Sequence, residues 1–112
     1  MPIKTDLLED LGLTHAQSVI YITLLQIGQT TSGPIIEKSK LQNSVVYNAL
    51  HQLIDQGLVT YILQGKRKYF SAVNPKQLLR ILDSKRATLT KNIPQLLQMQ
   101  QKSKDKQEAR VF

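Results

Sequence analysis

The sequence predicts a mainly α (α+β) chain, on the strength of two changes in hydrophobic spacing and one uneven distribution of charge. Up to residue 57 the apolar positions recur three and four apart. From residue 58 they alternate, and from Leu82 they return as a heptad. The formal charge of +7 is concentrated late in the chain. Residues 1–63 carry three bases against five acids, a balance of −2, whereas residues 64–112 carry twelve bases against three acids, a balance of +9.

At 112 residues the chain accommodates one domain plus an appended element. So small a core gains from burial against a second copy of the chain. There is no Cys, which excludes disulfides and thiolate metal sites and agrees with a reducing compartment. Residues 1–4 do not read as a leader, and the longest apolar runs, residues 19–22 and 61–63, are too short to span a bilayer. A cytoplasmic protein with no membrane partner is the expectation.

Residues 6–11 form a short helical start, with Leu7, Leu8 and Leu11 on one side and Gly12 as the stop. Thr14 caps a second helix, and Gln17 three residues on completes a capping box in which each side chain satisfies the other's backbone donor. Ala16, Ile20, Leu24 and Ile27 supply its buried stripe, and Gly28 ends it. Thr31 or Ser32 caps a third, short helix with Gly33 and Pro34 in its first turn, where a missing N–H is harmless. Ile35 and Ile36 point inward. The turn then falls on Lys40, where Gly would be usual, because a left-handed conformation costs a side chain with Cβ roughly 1–2 kcal/mol.

The stretch LQNSVVYNALHQLIDQG, residues 41–57, is the element the others present. Val46, Leu50, Leu53 and Ile54 share one face of a helix closed by Gly57. The opposite face carries Asn43, Ser44, Val45, Asn48 and Gln52, short or amide side chains of which most both donate and accept hydrogen bonds. Such a face suits the edges of nucleic-acid bases. With the preceding helix it makes a helix-turn-helix.

Residues 58–63 and 67–73 alternate with a period of two about Gln64 and Gly65, predicting a β-hairpin. Phe70 and Ala72 share its inward face, and Lys66, Arg67 and Lys68 crowd its tip. Helix, helix-turn-helix and basic hairpin together define a winged helix-turn-helix.

Asn74 caps a last helix that has Pro75 in its first position. Leu82, Leu89 and Leu96, with Leu78 and Ile93 beside them, make a narrow seam for another helix, interrupted by Arg86 and Asn92. The seam can pair two chains or fold back on its own domain, and pairing is preferred. Pro94 is expected to kink or break the helix, and residues 101–112, QKSKDKQEARVF, read as a frayed or disordered charged tail. The expected organisation is a domain over 1–74, a pairing helix over 75–100 and the tail.

No Gly-rich phosphate loop or nucleophile motif occurs, so an enzyme is not expected. His15 and His51 stand apart without ligand spacing, which argues against a metal or other cofactor. Asp6, Glu9 and Asp10 read as a solvated face rather than an acid and base pair.

Three stretches, LGLTHAQSVIYITLLQIG, IIEKSKLQNSVVYNALHQLIDQGLV and KRKYFSAVNPKQLL, resemble in order and spacing the amino-terminal domain of TrmB-like prokaryotic transcriptional regulators. The resemblance runs from about Leu7 to Leu79. It implies a dimer on operator DNA, with the second helix of the motif in the major groove and the hairpin on the backbone. Asn43, Ser44, Val45 and Asn48 would then meet bases and Lys66, Arg67 and Lys68 phosphates. Thr31, Ser32, Gln42, Tyr47 and Gln52 complete the candidate DNA-facing set, Tyr47 being divided between a phosphate contact and packing. Family members commonly have Pro or Arg where this chain has Gln42, Asn43 and Val45, so the strong Arg contact to guanine is missing. They also usually continue into a sugar-sensing domain, and no small-molecule effector is expected for these 112 residues.

The partner expected is therefore double-stranded DNA, bound at an inverted repeat by a homodimer. A protein-protein interaction module is the alternative, because winged helices also bind proteins and this recognition helix lacks Lys and Arg. The basic tip discriminates the two.

Overall fold

The structure, a computed structural model, describes residues 5–110, with side chains described through residue 106. Residues 1–4, on which the leader reading rests, and residues 111–112 of the tail lie outside it. The elements follow in the order α1 (Asp6–Asp10), α2 (His15–Ile27), α3 (Ser32–Ser39), α4 (Asn43–Asp55), β1 (Val59–Gln64), β2 (Arg67–Ala72), a 3-10 turn (Pro75–Leu78) and α5 (Leu79–Arg110). Two compact units meet in sequence at Leu78 and Leu79. The mainly helical winged helix-turn-helix predicted above is the fold of the first, and α5 is the second.

Of the three leucines at the start, Leu8 is buried, while Leu7 is 59% exposed and Leu11 half-buried. The expected three-leucine face is therefore reduced to one anchor. The cause is local: the backbone turns back at Gly12, and the Leu13 N–H donates to the Leu8 carbonyl at 3.2 Å, which carries Leu13 into the core instead.

The capping box of α2 forms as expected. The Gln17 N–H donates to Thr14 Oγ1 and the Thr14 N–H to Gln17 Oε1, both at 3.1 Å. The buried face is Gln17, Ile20, Tyr21 and Leu24, however, with the expected Ala16 and Ile27 half-buried on its flanks. Ser18 and Thr23 are also buried, each hydroxyl donating to a carbonyl one turn back, Thr14 at 2.8 Å and Val19 at 2.7 Å. A hydroxyl satisfied within its own helix burdens the core little.

Thr31 occupies the cap position of α3 but its side chain makes no capping bond. Ile35 is buried and Ile36 half-buried. Lys40 adopts φ 59° and ψ 23°, the left-handed conformation that the sequence marked as costly, and its N–H donates to the Ile36 carbonyl at 3.1 Å. On α4, Val46, Ala49, Leu50 and Leu53 are buried and Ile54 half-buried. Gly57 follows at φ 76°, and the Leu58 N–H reaches back to the Leu53 carbonyl at 2.9 Å, a glycine-closed helix end.

Strands β1 and β2 pair antiparallel from Val59 opposite Ala72 to Gln64 opposite Arg67, so Gly65 and Lys66 alone make the turn. Gly65 has φ 65° and Lys66 a negative φ, as a two-residue type II′ connection requires. A third segment joins the sheet unannounced by any alternation: Thr30 pairs with Phe70 through two backbone bonds of 2.7 and 3.1 Å. Tyr21, fully buried, donates its hydroxyl to the Val73 carbonyl at 2.7 Å. Burial pushes its phenol pKa above the usual value.

Asn74 Oδ1 accepts the Lys76 N–H at 2.9 Å, so the expected cap forms, but it opens a 3-10 turn before the α-helix begins. On α5 neither a break at Pro94 nor the expected fraying of residues 101–110 occurs. The helix runs through Pro94 unbroken, although proline leaves the Thr90 carbonyl without its helical partner; on an exposed helix, water can take that place. The segment expected to fray continues as helix to Arg110, built largely of Gln, Lys and other good helix formers and helped by a Gln101 to Asp105 bond of 3.3 Å.

Candidate nucleic-acid interface

Burying Val46, Ala49, Leu50 and Leu53 fixes the rotation of α4, and that rotation decides what the helix offers to solvent. Asn43, Ser44, Tyr47 and Asn48 are exposed, Val45 is half-buried, and Gln42 is exposed at the cap position without a capping bond. The row of hydroxyl and amide groups predicted from spacing is thus free of the core. No Lys or Arg lies on α4.

Gln52, counted with that row, has a second engagement. Gln17 Nε2 donates to Gln52 Oε1 at 2.7 Å, so one end of the Gln52 amide is held against α2 while its NH2 group remains to offer a ligand. Gln17 itself is 4% exposed, with its Oε1 already taken by the Thr14 N–H. Toward α3 a second tie occurs. The Tyr47 and Ser32 hydroxyls lie 3.0 Å apart, joining two predicted residues from different helices. Tyr47 is 52% exposed, so its ring is not enclosed in the core. Thr31, one residue before, is half-buried.

In the wing, Lys66 stands in the turn and Arg67 and Lys68 open β2, all exposed. Lys68 Nζ sits 4.7 Å from the centroid of the Tyr61 ring, an arrangement worth about 0.5–1 kcal/mol at an exposed site. Tyr61 in turn packs at 6.3 Å and a tilt of 49° against Phe70. The Lys68 ammonium is thereby tethered to the same residue that Thr30 pairs with, whereas no such contact fixes Lys66 or Arg67 among the described residues.

On α5, Leu82, Leu89, Ile93 and Leu96 are between 41% and 56% exposed, an uncovered apolar seam. Leu78, predicted as part of the seam, is half-buried in the 3-10 turn of the first unit. Among the described residues no three His, Asp or Glu side chains cluster closely enough to hold a metal ion, and no helix is long and apolar enough to cross a membrane. His15 and His51 have acidic neighbours instead, Glu9 at 3.3 Å and Asp55 at 3.7 Å.

Sequence reasoning missed both interhelical ties. Gln17 was legible in principle, because Gln17, Ile20, Tyr21 and Leu24 obey the i, i+3, i+4, i+7 spacing once a polar residue is admitted to a buried face. The Tyr47 to Ser32 contact had no local signal, since fifteen residues and a turn separate them.

Comparison with known proteins places these features. Residues 8–76 match the model of the family described as "Sugar-specific transcriptional regulator TrmB". An "HTH-type sugar sensing transcriptional regulator TrmBL1" from Pyrococcus furiosus is 31% identical over 72 residues, which are 64% of this chain and 21% of that protein. Among solved structures, TrmBL2, described as an archaeal chromatin protein with a novel mode of DNA binding, superposes with a TM-score of 0.75 at 16% identity, covering 96% of this chain and 42% of the other. A possible transcriptional regulator from Methanosarcina mazei superposes with a TM-score of 0.66 at 17% identity, covering 84% of this chain and 85% of that one. The chain thus spans about a fifth of the curated relative and under half of the first structural one. With more than half of its residues matched by the family model, and with the helix-turn-helix and hairpin in place, the chain belongs to the TrmB family of transcriptional regulators.

Proposed function

We propose that the chain is a sequence-specific, double-stranded DNA-binding transcriptional regulator, with α4 entering the major groove and the hairpin resting on the phosphate backbone. One observation carries this reading: burial of the apolar face of α4 leaves Asn43, Ser44 and Asn48 exposed, in the same compact unit as the exposed basic turn of Lys66, Arg67 and Lys68. Asn offers a donor and an acceptor that match adenine N6 and N7, and a bidentate pair of that kind discriminates by about 1–3 kcal/mol. Val45 suits a thymine methyl, so A·T-rich sites are favoured. Tyr47 and Ser32 stand ready for a phosphate beside them. Without Arg or Lys on the helix, affinity comes from Lys66, Arg67 and Lys68, whose phosphate contacts release counterions and weaken as salt rises.

The uncovered leucines of α5 support a homodimer. Two copies then set two recognition helices on successive major grooves, about 34–36 Å or a multiple apart, and the operator is an inverted repeat. A cytoplasmic location goes with this partner. The sugar sensing in the name of the Pyrococcus protein belongs to that longer chain, and no effector enters the present reading.

Charge reversal at the wing tests it. Lys66→Glu, Arg67→Glu and Lys68→Glu together should abolish mobility shifts with duplexes selected from a random pool. Shifts that persist, or a wild-type pool with no enriched sequence, would overturn the reading in favour of a protein-binding module.

A further inference from the structure

Helix α5 carries a second ordered feature besides its leucines. Arg80, Lys91 and Lys102 recur every eleven residues, and all three are exposed. Eleven residues are three α-helical turns plus about 20°, so the three side chains stand almost in line along the helix. At 100° per residue that line lies about 160° from the one drawn by Leu82 and Leu89, and about 120° from it where Lys102 follows Leu96. The seam and these three cations therefore lie on different faces, and pairing through the seam leaves the three outward. None of the three forms an ion pair among the described residues.

The spacing has a natural counterpart. At a rise of 1.5 Å per residue, Arg80 and Lys102 are about 33 Å apart along the axis, with Lys91 midway. One turn of B-form DNA advances about 34–36 Å. A straight helix laid along a duplex would thus bring Arg80 and Lys102 to the same strand's phosphates one turn apart, and Lys91 to the ridge of the opposite strand between them. Lys and Arg stems absorb the remaining mismatch of a few ångström. A solvated charged face needs no such period.

We propose that the outer face of α5 is a sequence-independent grip for duplex DNA, with Arg80, Lys91 and Lys102 as its phosphate contacts. This rests on the DNA-binding reading above and adds a surface to it that is separate from α4 and the wing.

The test compares salt dependence of binding to a mixed-sequence duplex several helical turns long, using the whole chain. Replacing Arg80, Lys91 and Lys102 with Gln should lower the slope of log affinity against log salt by about 0.9 for each cation, about 2.7 in all. A second variant keeps the composition and rotates the charges off the line by exchanging neighbours on the side away from the seam, Lys91→Thr with Thr90→Lys and Lys102→Gln with Gln101→Lys. It should lose most of the contribution of those two positions. Sedimentation of both variants should match the wild type, since neither touches the seam. If the exchanged variant binds like the wild type, net charge alone matters and the aligned grip is overturned. If both α5 variants bind like the wild type while wing reversal still abolishes binding, the grip is wrong and the operator reading stands. Loss of effect at the wing as well would remove the reading beneath it.

Discussion

The Gln17 amide joins the start of one helix to the flank of another, its Oε1 accepting the Thr14 N–H at 3.1 Å and its Nε2 donating to Gln52 Oε1 at 2.7 Å. A buried amide used at both ends can be replaced only at a loss, because removing it strands a backbone N–H and leaves a cavity. Gln17→Ala should cost about 1–3 kcal/mol in urea unfolding. Gln52→Ala should cost less, since Gln52 is exposed and the stranded Nε2 can reach water. Equal costs would show that the tie between the helices, rather than the cap, dominates.

Tyr21 donates to Val73 from a fully buried position, so Tyr21→Phe leaves a carbonyl without its partner and should cost about 0.5–1.5 kcal/mol at neutral pH. The same residue sets an alkaline limit. Its pKa in the folded chain lies above the usual tyrosine value of about 10 because burial disfavours the phenolate. Above the unfolded value the unfolded chain has already released a proton that the folded chain retains, so stability falls with rising pH from there until the folded pKa is passed. Urea midpoints followed upward from pH 9 should show that decline in the wild type, and a shallower one in Tyr21→Phe.

Lys40 holds a left-handed backbone at φ 59° in the middle of the helix-turn-helix. Lys40→Gly relieves roughly 1–2 kcal/mol of strain and returns part of it through the greater freedom of glycine in the unfolded chain. A net gain of up to about 1 kcal/mol is expected from thermal or urea unfolding. Destabilisation would mean that the lysine stem packs more than its exposure indicates.

Leu89 is 56% exposed at the centre of the heptad seam of α5. If two chains pair there, Leu89→Glu places two carboxylates in an apolar contact, and sedimentation should shift from dimer to monomer at concentrations where the wild type is paired. An unchanged dimer would move the contact elsewhere.

The elements were legible where local chemistry decides them. The Thr14 to Gln17 box, the glycine after α4 and a hairpin turn containing Gly65 each depend on residues a few positions apart, and each forms as the sequence indicates. The exposed row on α4 followed from spacing alone, because burying Val46, Leu50 and Leu53 leaves one rotation. What could not be read were the contacts made across the chain. Thr30 with Phe70 and Gln17 with Gln52 obey no periodicity. The heptad set Leu78 beside the line of Leu82 and Leu89, whereas Leu78 lies in the 3-10 segment that Pro75 opens. At position 94 proline does not break the helix, which continues past a carbonyl that solvent can satisfy.

The backbone pairing of Thr30 with Phe70 has a bearing on how the chain is made. Synthesis runs from the amino terminus, so the loop after α2 leaves the ribosome long before its partner strand exists, and the Tyr21 hydroxyl waits still longer, for a carbonyl 52 residues downstream. All four helices before the hairpin are therefore made before either contact can close, and the Thr30 edge lacks its partner strand until residues 70–73 emerge. A nascent chain arrested before Phe70 would present that edge to any passing strand.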